Sequence, residues 1–160
     1  MPARTRVLRL APALAGALIA VALAASATTA DPGTKLLDAS MTGIPTGGLA
    51  LEGVAGGGIP WMLDRGDARL FADGRLQVSV RHLVLAAGPL AGTNPIPTGR
   101  AIVACNGGAD VVMTDVVPYS AEGDAMVDAQ VSLPSTCLAP AVFFAGQTPG
   151  GPRWFAVTGG

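Results

Sequence analysis

Residues 68–81 read Ala68-Arg69-Leu70-Phe71-Ala72-Asp73-Gly74-Arg75-Leu76-Gln77-Val78-Ser79-Val80-Arg81. Leu76, Val78 and Val80 alternate with Gln77, Ser79 and Arg81, the two-residue period of a strand with one face buried and the other wet. Ahead of them Asp73-Gly74 stands between two apolar runs, and Asp-Gly is the strongest short-range hairpin signal because these residues tolerate the backbone of a tight turn. The run continues through Leu83, Val84 and Leu85 with apolar residues on both faces, so its end is expected to be covered on both sides.

The same rhythm extends in both directions. Ala125, Val127, Ala129, Val131 and Leu133 alternate with Met126, Asp128, Gln130 and Ser132, which predicts a strand over 125–133. A hairpin is expected between 101–105 and 111–117 through Asn106-Gly107-Gly108-Ala109-Asp110, with Pro118 limiting the second strand. The turn Ala121-Glu122-Gly123-Asp124 leads into 125–133. Two late runs, 141–145 and 154–157, are separated by a glycine and proline loop over 146–153, and strands are also expected at 36–41, 49–53 and 59–63. Eight or nine short strands punctuated by turn residues predict an all-β fold, a single β-sandwich of immunoglobulin-like or Greek-key type. The stretch 86–99, with Gly88, Pro89, Gly92, Pro95, Pro97 and Gly99, is too long for a hairpin. It reads as a crossover between sheets or a functional surface loop.

The first thirty residues stand apart. Arg4, Arg6 and Arg9 precede an apolar run over 10–25, and small residues offer cleavage after Ala27 or Ala30. This is the pattern of a secretory signal peptide, with an apolar core short for a membrane span. Its removal leaves one domain over 31–160 with seven Lys and Arg against eleven Asp and Glu, a net charge of −4. So few scattered basic residues give no footprint for nucleic acid or anionic lipid. The expected product is extracytoplasmic and, after cleavage, free of the membrane.

Cys105 and Cys137 are the two cysteines. An exported chain with two cysteines most often joins them, and neither belongs to a C-x-x-C redox pair. The expected disulfide ties the end of the 101–105 strand to the loop before 141, and its closure entropy is worth about 3 to 4 kcal/mol.

Chemistry-bearing patterns are sparse. His82 is the single histidine, which excludes a multi-histidine zinc site, and Ser79 and Ser120 lack the G-x-S-x-G context of a nucleophile elbow. On a strand between Arg81 and Leu83, His82 reads as an ordinary residue. Asp64, Asp67, Asp110, Glu122 and Asp124 show no D-x-D-x-D-G calcium pattern and read as solvated turn carboxylates. Arg65-Gly66-Asp67 spells a tripeptide that integrins read, but it fits a tight turn between 59–63 and 68–71. Gly56-Gly57-Gly58 has no following lysine or helix start for a phosphate cradle and reads as a flexible or closely approached loop. Trp61, Tyr119 and Trp154 are the candidate ligand-binding residues, able to form a sugar-stacking platform in a secreted sandwich. The scarcity of aromatics favours the core for at least one of the two tryptophans.

Three segments carry a resemblance: Gly56-Gly57-Gly58-Ile59-Pro60-Trp61; Asp73-Gly74-Arg75-Leu76 running into Val80-Arg81-His82-Leu83-Val84; and Leu133-Pro134-Ser135-Thr136-Cys137-Leu138-Ala139-Pro140. Together they resemble a group of small exported proteins of unknown function from high-GC, actinobacteria-like bacteria. The resemblance implies a secreted β domain and assigns no catalytic residue. The expected function is a non-enzymatic binding or structural module, with no cofactor or metal and with an extracellular protein or polysaccharide as partner. A carbohydrate-binding domain is one alternative. A small hydrolase using His82 or paired carboxylates is the other.

Overall fold

In the computed structural model of the protein, residue 31 and residues 33–159 are described; the expected signal peptide, 1–30, lies outside them. The strands are β1 (Lys35–Gly43), β2 (Ala50–Leu51), β3 (Val54–Ala55), β4 (Trp61–Met62), β5 (Arg65–Phe71), β6 (Arg75–Arg81) and β7 (Val84–Leu85). They continue with β8 (Thr98–Cys105), β9 (Asp110–Met113), β10 (Val117–Pro118), β11 (Ala125–Gln130), β12 (Ala141–Thr148) and β13 (Gly151–Thr158). A single 3-10 turn, Asn106–Gly108, joins β8 to β9.

Nine of the strands form one antiparallel sheet in the order β10-β8-β12-β13-β1-β5-β6-β11, with β9 also paired to β8. The long strand β1 lets this sheet curl into two layers. Its first part pairs with β5, up to Ser40 opposite Asp67, and its last three residues pair with β13, from Met41 opposite Thr158. The result is an all-β, sandwich-like fold with β1 shared between the layers.

The layer β1-β5-β6-β11 follows the alternation of the sequence. Ala68, Leu70, Leu76, Val78, Val80 and Val127 are buried, while Gln77, Arg81, Met126, Asp128 and Gln130 are exposed. The opposite layer behaves differently: Ala101 to Cys105 on β8 and Val142 to Ala145 on β12 are all fully buried. A strand buried on both faces needs a cover on its outer side. The β2–β3 hairpin supplies it for part of this layer: the Trp154 indole Nε1–H donates to the Val54 carbonyl (3.1 Å), and a Cβ on Gly108 would overlap the Glu52 carbonyl. The buried side chains of both layers belong to one hydrophobic cluster, and each fully buried large one contributes about 1.5–3 kcal/mol.

The Asp73-Gly74 hairpin forms as expected, pairing Leu70 with Leu76. Gly74 has φ +87°, and a Cβ there would overlap the Val131 carbonyl oxygen. The disulfide joins Cys105 to Cys137 with Cα atoms 4.9 Å apart. Asn106 fastens the same junction, donating from Nδ2 to Asp110 Oδ2 (2.7 Å) and to the Thr136 carbonyl (2.8 Å), while its Oδ1 accepts from Leu138 N–H (3.0 Å).

Four expectations about local structure are corrected. Arg65-Gly66-Asp67 is not a turn but the start of β5, paired with Arg81, Val80 and Ser79; Gly66 is favoured there because a Cβ would lie 2.9 Å from Met41 Cβ on β1. The loop expected over 146–153 shrinks to a tight hairpin, because β12 and β13 pair through to Thr148 opposite Gly151. The strand expected over 76–85 breaks at His82, whose φ is +51°, and Val84 and Leu85 leave the main sheet to pair with Trp61 and Met62. The strand expected over 111–117 is interrupted at residues 114–116, where Thr114 Oγ1 accepts from Ala101 N–H (3.1 Å) and donates to the Asp115 carbonyl (2.9 Å).

Candidate functional site

The three candidate aromatics are interior residues: Trp61 is 5 %, Tyr119 3 % and Trp154 2 % exposed. They do not form a shared sugar-stacking platform, since a core this poor in rings spends them on packing. Trp61 stacks on Phe155 with ring centroids 3.9 Å apart. Tyr119 packs edge-on against Phe144 at 5.1 Å, and its hydroxyl donates to the Leu83 carbonyl. Burial raises its phenol well above the ordinary value, with the nearby Asp124 charge adding to the effect. Trp154 instead contacts Phe143 at 5.7 Å and reaches the β2–β3 cover.

The hydrolase candidates are not brought together as a triad. Asp124 Oδ1 accepts the main-chain N–H of His82 (2.9 Å), not its imidazole. Ser120 Oγ accepts from Asp124 N–H (3.2 Å). These contacts lock the 120–124 turn onto the break after β6, where Gly123 and Leu83 also exchange a backbone hydrogen bond (2.9 Å). Among the described residues no group of three or more His, Cys, Asp or Glu is placed to hold a metal ion.

The glycines Gly56 and Gly57 are spent on close approach. Their N–H groups donate to the Leu49 and Trp154 carbonyls at 2.7 and 3.0 Å. A Cβ on Gly57 would lie 3.0 Å from the Phe155 ring and 3.3 Å from Trp61 Nε1. This packing leaves an open apolar depression of about 410 Å³ beside the stacked pair. Its wall is formed by Gly57, Ile59, Trp61, Leu90, Ile96 and Phe155, with Arg153 and Thr148 at the border. Ile59 and Leu90 remain 44 % and 53 % exposed.

Leu90, Pro95 and Ile96 come from the glycine- and proline-rich stretch that the sequence marks as a crossover or functional loop; it links β7, of the small β4–β7 pair, to β8 of the main sheet. Asn94 braces it from within, donating from Nδ2 to the Ile96 and Ser120 carbonyls (2.7 and 2.8 Å) and accepting Ile96 N–H on Oδ1 (2.9 Å). Sequence reasoning singled out Trp61 but missed Phe155, Leu90, Ile96 and Arg153. The signal available was the unexplained apolar content of the 86–99 loop.

The outward face of β1, β5, β6 and β11 is a second, chemically different surface. It carries a trough of about 260 Å³ lined by Asp67, Arg69, Gln77, Ser79, Met126 and Asp128. Most of its charges are paired: Arg65 with Asp67 (3.0 Å), Arg69 with Asp38 (3.4 Å), Arg75 with Asp73 (2.8 Å) and Lys35 with Asp38. The Lys35 hydrogen bond is the main cause holding the Asp38 carboxyl below its ordinary value, and the Arg75 backbone N–H does the same for Asp73. A face this self-neutralised behaves as a solvated surface.

No protein-family model matches the chain, and comparison with curated proteins and with solved structures found no similar protein. Among the described residues no helix is long and apolar enough to cross a membrane.

Proposed function

We propose that this protein is an exported, non-enzymatic binding module whose ligand seat is the depression beside Trp61 and Phe155. The observation that carries the reading is the depression itself. Its volume falls in the range of small-molecule sites, and an apolar wall with a few polar groups at the border is their usual composition. Exposed Ile59 and Leu90 leave apolar area that a ligand would cover. Export is supported by the signal-peptide pattern of residues 1–30 and by the paired cysteines. The resemblance of residues 56–61, 73–84 and 133–140 to small exported proteins of high-GC bacteria points the same way.

The test is a chemical-shift survey of the purified protein with straight-chain alcohols and with soluble oligosaccharides. Shifts are expected at Ile59, Leu90 and Ile96 with the alcohols. Shifts confined to the polar face of β5 and β6 with an oligosaccharide would replace this reading with a carbohydrate-binding one. N-terminal sequencing of protein recovered outside the cell should begin at Thr28 or Asp31; an intact Met1 there would mean that the segment stays as an anchor and would remove the freely soluble reading.

A further inference from the structure

We infer that the ligand of this depression is an amphiphile with an acidic head, its apolar body against Trp61, Phe155, Ile96 and Leu90 and its carboxylate at Arg153. The inference rests on the reading of the depression as a ligand seat and adds the chemistry of the ligand's polar end. The one charged side chain that lines the seat is a cation, Arg153. Arg153 borders it and has no carboxylate partner among the described residues, in contrast to Lys35, Arg65 and Arg69. Thr148 donates its hydroxyl proton to the Gly151 carbonyl (2.6 Å) and so offers a ligand only an acceptor oxygen.

No Asp, Glu or His lines the seat. A cationic ligand would therefore meet Arg153 with like charge and find no counter-ion, while a neutral chain would leave the guanidinium unused. A carboxylate matches the guanidinium in charge and in its two-pronged geometry. The occupant is a free small molecule: the depression offers about 410 Å³, and the charge that lines it is a single cation. A lipid surface would call for a cluster of basic residues.

The experiment is calorimetric titration of the purified protein with sodium decanoate, 1-decanol and decylammonium chloride, each below its aggregation threshold. Saturable binding is expected, with decanoate at least about fivefold tighter than decanol and decylammonium the weakest, and the gap should narrow as salt is raised. Arg153→Gln should bring decanoate to within about twofold of decanol while leaving decanol binding in place. Gly58→Leu, which adds a side chain at a glycine that lines the depression and has open space around it, should weaken both ligands without lowering the melting temperature. Decanol binding with decanoate no tighter, or a gap that survives Arg153→Gln, overturns the acidic-head assignment and leaves the ligand seat standing. Absence of saturable binding by both overturns the seat as well. Adsorption to phosphatidylglycerol vesicles without uptake of free decanoate overturns the inference in favour of a lipid surface.

Discussion

Single residues show how this chain uses a small stock of polar and aromatic groups. Tyr119 is the one tyrosine, and its hydroxyl donates to Leu83 O from a buried position. Tyr119→Phe leaves that carbonyl without its side-chain donor and should cost about 1–2 kcal/mol, read from the urea midpoint. Because burial raises the phenol's pKa, absorbance near 295 nm in the native protein should rise in alkali only together with unfolding. Asp73 gives the opposite sign. Its folded pKa lies below the ordinary carboxylate value, chiefly through the Arg75 backbone N–H, so its contribution is present above the ordinary value and is lost as pH falls through the lowered one. The stability difference between the protein and Asp73→Asn should therefore be constant near neutrality and shrink below about pH 4, measured by urea unfolding across that range. None of the partners of Tyr119 was legible in the sequence, since Leu83 lies 36 residues away. The Asp73–Arg75 contact was local and followed from the turn.

Elements formed where local pattern and tertiary demand agreed. The β5–β6 hairpin and the alternation of β6 and β11 could be read directly, because a period of two with one wet face leaves a single register that buries Leu76, Val78 and Val80. Gly74 separates two effects at such a turn. Both Gly74 and Gly88 have positive φ, but only Gly74 approaches other backbone closely. Gly74→Ala should cost about 2–3 kcal/mol and Gly88→Ala about 1 kcal/mol, checked by thermal or urea denaturation. Equal costs would mean that conformation alone governs the hairpin. Sequence reasoning failed where a strand's apolar run continued past a change of partner. Leu83 to Leu85 look like more of β6, yet His82 turns the chain and β7 pairs with β4. Arg65-Gly66-Asp67 looks like a turn because Gly and Asp favour turns, but the close approach of β1 requires glycine inside the strand.

For the whole molecule, the disulfide and the curl of the sheet determine what holds together. Cys105–Cys137 closes a loop with a sequence separation of 32, and reduction or a Cys105→Ala/Cys137→Ala pair should lower stability by about 3 to 4 kcal/mol in urea denaturation. A much smaller loss would indicate that Asn106 and its partners hold the 106–138 junction unaided. The amino-acid sequence by itself determined the all-β class, the principal hairpins, the pairing of the two cysteines and the inward face of β6 and β11. Each follows from short-range periodicity, turn chemistry or simple counting. Only the tertiary structure decided that β1 serves both layers, that β2 and β3 cover the outer side, and that Trp61, Phe155, Ile96 and Arg153 border one depression. Those residues lie on segments separated by up to 94 positions, from Trp61 to Phe155. Their meeting depends on how far the sheet curls, and that is fixed by the summed packing of buried side chains from both layers and not by any local pattern.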